Sequence, residues 1–436
     1  MNQHHGKSYA GGDHTLHITF NGRVKSAGVC GLGWSGMHDH IYPSHFRFRQ
    51  VYLPDSNIKQ VYASYCHNLA LGESGTLYSW GCGNFDYVNW SLKVYENAES
   101  GIIPALGQGK RVYYDVGDNP KVVNLPLKKD KNGDREQIVD ISGGVLHSAV
   151  LLNTGRVLTF GQNVYGELGR SSWRDHEPKE AYIPSINGKK ERKIVKLGPG
   201  YHNIFAISSD GKLFCAGDNE SKQCGEGPEI LKSFSHVEEL DQDEIVDQVE
   251  GGFCHTLVKT TSGKVYTLGC QSYGVRGVSL AENRTLPIVT TKGIIFSKDE
   301  KLPVVTQVEL PTEAMQIAAG KFHNVILGKD GNVYTFGLNY CGQCSGKEST
   351  TDLYVGQNVT LGKESNDSDL YFPVPQKVKL PENAGKIVNV SAGFNHTILD
   401  DDTGKTFYAF GDNRMGQLGF GGDGYYVCDP VTVKRE

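Results

Sequence analysis

Apolar and polar residues alternate along most of this chain in short runs, and the runs come in pairs. Leu16 and Ile18, or Ala149 and Leu151, place an apolar side chain at every second position, the period of a half-buried strand. A turn holding a glycine follows, as at Asn21-Gly22 and Thr154-Gly155, where a positive φ costs glycine little. The return run is rich in β-branched and aromatic residues, such as Val333, Tyr334 and Phe336, or Phe407, Tyr408 and Phe410. Each pair of runs predicts a β-hairpin.

The hairpin recurs through the chain at one register. It opens on a histidine at 14, 67, 147, 202, 255, 323 and 396, and closes on Gly28, Gly81, Gly161, Gly217, Gly269, Gly337 and Gly411, always 14 or 15 residues later. Just before that glycine stand Ala27, Trp80, Phe160, Ala216, Leu268, Phe336 and Phe410, apolar in every unit and therefore candidates for the core. A second glycine pattern follows, clearest in Gly411, Asn413, Gly416, Gln417, Leu418 and Gly419. Ahead of each histidine lies a further apolar stretch, such as Ile138, Val139 and Ile141, or Ile387, Val388 and Val390. About four strands per unit make the blade of a propeller. The expected fold is all-β: a seven-bladed β-propeller that takes up residues 1–436 as a single domain.

Successive histidines are 53, 80, 55, 53, 68 and 73 residues apart, so a basic unit of 53 carries three insertions, near 86–119, 278–301 and 345–370. All follow the glycine-rich end of one unit and precede the first strand of the next. Insertions at one register of a stacked repeat emerge on one face, often the binding face. A ring of blades must also join its ends, or sheet edges are left unpaired. The C-terminal run 431–434 resembles the first strand of the other units, as in 373–378, with no hairpin after it. It is expected to pair with the N-terminal strands as the outer strand of the blade that holds His14.

The pattern G-x-x-H, then x-G, then aromatic-G-x-N-x-x-G-Q-L-G resembles the regulator-of-chromosome-condensation repeat over essentially the whole chain, while the tryptophan-aspartate ending of WD repeats does not recur. The resemblance implies a seven-bladed propeller and a protein-binding role. The founding member of that family is a chromatin-bound exchange factor for a small nuclear GTPase; others are light receptors, ciliary proteins or modules of larger enzymes. The founding member's basic N-terminal tail has no counterpart here. Its exchange loop is not matched by the segment from Ser79 to Tyr87, so no catalytic residue carries across. Four tryptophans, at 34, 80, 90 and 173, are too few for the stacked cluster of a plant light receptor.

Charge and candidate chemistry add limits. With 44 Lys and Arg against 49 Asp and Glu the net charge is -5, and there is no basic stripe of the kind that grips phosphates, so direct nucleic-acid binding is not expected. The cluster Lys189, Lys190, Arg192 and Lys193 reads as a solvated loop. No apolar run is long enough for a membrane span, and no secretory signal opens the sequence. Glycine, 54 of 436 residues or about 12%, reflects many turns. Histidines on separate blades cannot converge on one ion, and each is expected instead to hold a neighbouring backbone group. Gly31, Gly33 and Gly36 form G-x-G-x-x-G but are followed by no helical pattern, so the dinucleotide reading fails. Cys341 and Cys344 form C-x-x-C, yet Cys344 and Cys224 share the register of Leu418. Cys66 and Cys254 share another, and Cys82 and Cys270 a third. Cysteine here reads as a small buried apolar residue in a reducing compartment.

These readings leave no catalytic, metal or cofactor residue. They point to a non-enzymatic scaffold for protein–protein interaction in the cytoplasm, in a cytoskeletal or ciliary assembly, or in the nucleus; the alternative is an exchange factor for a small Ran-like GTPase. The candidate partner contacts are Trp90, Tyr95, Arg111, Tyr113 and Tyr114 in the first insertion, because aromatics with arginine are favoured at interface hot spots. The acidic stretch around Glu238, Glu239 and Glu244 reads as a solvated loop.

Overall fold

A computed structural model describes residues 6–29, 44–65, 67–81, 120–172, 174–184, 193–240, 244–278, 288–290, 293–295, 302–345, 371–422 and 425–435. Seven four-stranded antiparallel sheets form the blades of a ring, and among the described residues the only helical turns are two short 3-10 segments. Blade 1 is Ser8–Ala10, His14–Ile18, Val24–Val29 and Ser44–Gln50; blade 2 is Ile58–Ala63, His67–Gly72, Leu77–Gly81 and Lys121–Val122. Blade 3 is Ile138–Gly143, His147–Leu152, Val157–Gln162 and Arg174–Glu180; blade 4 is Ile194–Gly198, Asn203–Ser208, Leu213–Asp218 and Ile230–His236. Blade 5 is Val246–Gly251, His255–Thr260, Val265–Gly269 and Thr306–Val308; blade 6 is Ala314–Ala319, His323–Gly328, Val333–Leu338 and Tyr371–Lys377. Blade 7 is Ile387–Ala392, His396–Asp401, Thr406–Asp412 and Tyr426–Lys434. The first strand of each blade lines a central channel of about 610 Å³.

The core lies between blades. Ala27, Trp80, Phe160, Ala216, Leu268, Phe336 and Phe410 are all wholly buried, as the repeat register requires. Each cluster mixes neighbouring blades: Leu16 and Ile18 of blade 1 pack with Val61, Ala70 and Trp80 of blade 2.

Histidine links the blades. His14 Nε2 lies 2.6 Å from Asn68 Oδ1, His67 Nε2 2.7 Å from Ser148 Oγ, His147 Nε2 3.0 Å from the Asn203 carbonyl oxygen and His255 Nε2 3.0 Å from Asn324 Oδ1. His323 Nε2 lies 3.0 Å from Thr397 Oγ1, and His396 Nε2 closes the circle 3.1 Å from Thr15 Oγ1. The Nε2 partner in these pairs is usually a side chain of the next blade; at His147 it is a backbone carbonyl, the expected acceptor. Thr15 and Thr397 also reach back, donating to the carbonyls of Gln417 and Gln343, and at the join of blades 4 and 5 Thr256 donates to the Gln223 carbonyl in the same way. Burial drives these imidazoles to lose their charge, with His14 and His255 at about 4 and His67, His147, His323 and His396 at about 3.

Four expectations are corrected. The run 431–434 belongs to blade 7, where Val433 pairs with Phe407 and Lys434 with Thr406, while blade 1 has its own outer strand in Ser44–Gln50. The ring closes by packing of blade 1 on blade 7. The Ser8 amide donates to Asp400 Oδ2 at 2.7 Å, the Ala10 amide to Ser391 Oγ at 2.8 Å, and Arg435 pairs with Asp400 while donating to the Gly6 carbonyl at 2.6 Å. The fourth unit places Asn203, not His202, opposite Gly217, so His202 stands one residue outside the ring. Cys215 is bonded to Cys224 and Cys254 to Cys270, with Cα atoms 5.6 and 5.5 Å apart, whereas Cys341 and Cys344 are buried free thiols. The acidic stretch is less free than expected: Glu239 accepts from the Glu226 amide and Glu244 from Lys264.

Candidate protein-binding face

The register fixes what each side of the ring carries. His14 pairs with Gly28, His67 with Gly81 and His323 with Gly337, so the start of each second strand lies beside the end of the third. The loops from first to second strand and from third to fourth therefore emerge together. Residues 82–119, 279–301 and 346–370 fall between third and fourth strands of blades 2, 5 and 6, inside their blades rather than between units. All three leave the ring on the same face. Trp90, Tyr95, Arg111, Tyr113 and Tyr114 lie outside the described residues, as does the segment holding Gly31, Gly33 and Gly36. The second insertion includes a small hairpin of Ile288–Thr290 and Gly293–Ile295.

At the centre of that face the G-x-x-H loops meet over the channel mouth. Two residues ahead of the second-strand start stand Tyr65, Tyr201, Phe253, Lys321 and Phe394. Tyr65 stacks on Phe394 with ring centres 4.2 Å apart, Tyr201 stacks on Phe394 at 5.6 Å, and Tyr201 meets Phe253 edge-on at 4.7 Å. Phe322 follows, 5.2 Å from Phe253. The Lys321 ammonium lies 5.2 Å from the Phe394 ring centre and 5.7 Å from those of Phe253 and Phe322, a cation held over three aromatic faces. Backbone bonds join these loops across blades: the Phe253 amide donates to the Lys321 carbonyl at 3.0 Å and the Lys321 amide to the Phe394 carbonyl at 3.2 Å. Burial lowers the Lys321 pKa against the pull of Asp13, and burial, with Asp412, raises the Asp13 carboxyl to about 6.

The displaced His202 sits beside this cluster, its ring 4.6 Å from Tyr165 and 4.7 Å from Tyr201. Its Nδ1 is 3.8 Å from Glu167 Oε1. Deeper in the channel Asp140 accepts from Gln60 and from the Leu197 amide, and Gln316 donates to Asn389, so polar residues of the first strands stitch blade to blade. Burial lifts Glu250, beside Gln248, to about 7. No group of three or more His, Cys, Asp or Glu among the described residues is placed to hold a metal ion, and none of their helices is long and apolar enough to cross a membrane. An aromatic floor with one central cation is suited to covering by another macromolecule's surface.

The model of the RCC1-like domain matches residues 98–436, and that of the regulator of chromosome condensation (RCC1) repeat matches 58–86. The chain belongs to the RCC1-like domain family. Within this family it is 27% identical over 356 residues to the human regulator of chromosome condensation, covering 78% of this chain and 74% of that one. It is 26% identical to the ultraviolet-B receptor UVR8 of Arabidopsis thaliana, covering 64% and 57%. Among solved structures, human WBSCR16 superposes with a TM-score of 0.68 at 16% identity, covering 95% and 94%, and Prp20p of Saccharomyces cerevisiae with 0.65 at 19%, covering 94% and 85%. These structures show the shared RCC1-type propeller. The aromatic cluster was missed in the sequence because its members are more than about 50 residues apart; the available signal was the first variable position of G-x-x-H.

Proposed function

We propose that this RCC1-like propeller is a non-catalytic scaffold that binds a protein partner through the face carrying its insertions. The observation that carries the reading is the aromatic floor around Lys321, at the centre of the face from which all three insertions leave. Trp90, Tyr95, Arg111, Tyr113 and Tyr114 of the first insertion are proposed as further partner contacts. A cytoskeletal or ciliary assembly is the proposed setting, in keeping with the 24% identity over 348 residues to the Caenorhabditis elegans homolog of the X-linked retinitis pigmentosa GTPase regulator.

The second reading is an exchange factor for a Ran-like GTPase. It is favoured by the similarity to the regulator of chromosome condensation and to Prp20p, whose binding to Gsp1p and histones is described with its structure. Two assays on the purified chain separate the readings. Affinity capture compares the wild type with Phe253→Asp and Lys321→Gln, both checked for folding by circular dichroism. The scaffold reading expects structural proteins to be captured and lost in both variants, and expects no acceleration of fluorescent-nucleotide release from a Ran-type GTPase. Acceleration by orders of magnitude would replace it with the exchange-factor reading.

A further inference from the structure

The seam where blade 1 closes on blade 7 holds a second cleft, of about 410 Å³, at the perimeter of the ring and away from the aromatic floor. Its cations are Lys25, Arg47, Lys405, Lys434 and Arg435, and no carboxylate is among its described lining residues. Arg435 is engaged by the buried Asp400 and lies 5.3 Å over the Phe407 ring. Lys405 and Lys434 are exposed and carry the excess charge outward. Beside threonines and glycines the lining has the rings of Phe20, Phe48, Phe407 and Phe420: Phe20, 53% exposed, lies across Gly404, and Phe48 meets Phe407 edge-on at 5.6 Å. Gly404, with φ +61, has no room for a Cβ, which would lie on the Phe20 ring.

An occupant must therefore bring negative charge together with apolar or aromatic surface. A wall of the cleft is the end of Tyr426–Lys434, the last strand of its sheet. Such an edge offers backbone donors and acceptors that an extended peptide satisfies and a compact anion does not. We propose that the blade 1–blade 7 seam is a docking site for an acidic peptide segment bearing an aromatic anchor. The anchor would pack against Phe20 and Phe48, and its flanking carboxylates would face Lys405 and Lys434.

The proposal rests on the reading of the chain as a protein binder but uses a different surface, so the two fail separately. The probe is a short fluorescent peptide alternating carboxylate and phenyl side chains, titrated onto the full chain by anisotropy. Its controls are the same peptide with amides for carboxylates, and ATP as a compact aromatic anion. Saturable binding is expected. It should weaken about tenfold or more in a Lys405→Glu, Lys434→Glu double variant, fall with added salt, and be absent with the amide peptide. Equal binding to the double variant or to the amide peptide would overturn the proposal, as would binding of ATP alone. Melting of the double variant within a few degrees of wild type, with capture through the aromatic floor intact, keeps a negative result from being a folding failure.

Discussion

At the scale of residues, the repeat assigns each position a task, and the departures from it are informative. In the glycine-rich turn Gln223, Gln343 and Gln417 each accept a backbone amide, from Ser221, Cys341 and Met415. Glu167 does the same for Tyr165, and its Oε1 lies 3.8 Å from His202 Nδ1. Burial lifts its carboxyl to about 8. Between its ordinary range and about 8 the folded chain holds a proton that the unfolded chain releases, so the contribution of Glu167 is full at acid pH and is lost as pH rises. Glu167→Gln is expected to raise the melting temperature at pH 8 and to leave it little changed at pH 5, as thermal melts at the two values will show. The buried ring histidines act in the opposite sense. Their folded pKa values are depressed to about 3 or 4, so stability is present above their ordinary range and is lost as pH falls below it, by about 1.4 kcal/mol per pH unit for each histidine. Acid titration by circular dichroism should show a steep, cooperative unfolding on the acid side of pH 6. The interval of 15 residues at His202 did not signal its displacement, since His396 has the same interval and pairs with Gly411; Asn203 can fill the same slot, and polarity alone does not choose between them.

At the scale of elements, the hairpins were legible because their two strands are local, apolar and joined by a glycine turn. The glycine that closes each third strand shows why that register is strict. At Gly161, with φ +124, a Cβ would lie 2.5 Å from the Leu146 carbonyl oxygen and 2.6 Å from His147 Cα. Gly133, with φ +87, has nothing within 4 Å of the same position. Gly161→Ala is expected to cost about 3 kcal/mol or more, and Gly133→Ala about 1. Urea unfolding of the two variants checks the difference, and equal costs would contradict it. The outer strands were harder to read. Ser44–Gln50 and Arg174–Glu180 are polar strands at sheet rims, and nothing in such a run says whether it joins the blade before it or the blade after it.

At the scale of the whole molecule, the same ambiguity explains the misplaced closure. The run 431–434 does correspond to 373–378, but that stretch belongs to Tyr371–Lys377, the outer strand of blade 6 rather than a first strand, and which blade 431–434 joined was not contained in the pattern. Closure depends instead on the contacts of Ser8 and Ala10 with blade 7, and on those of Arg435, at the end of blade 7, with Gly6 and Ser8. Arg435→Ala leaves Asp400 buried without its partner and is expected to cost about 3 kcal/mol, read as a lower urea midpoint. The aromatic floor is a property of this scale alone, because only the closed ring brings Tyr65, Tyr201, Phe253, Lys321 and Phe394 together. The most direct test of the account is hydrogen–deuterium exchange on the chain alone and bound to its captured partner. It should show slowed exchange on binding in the loops ahead of His67, Asn203, His255, His323 and His396, and in the three insertions. Protection confined to the opposite face, with these loops unchanged, would contradict it.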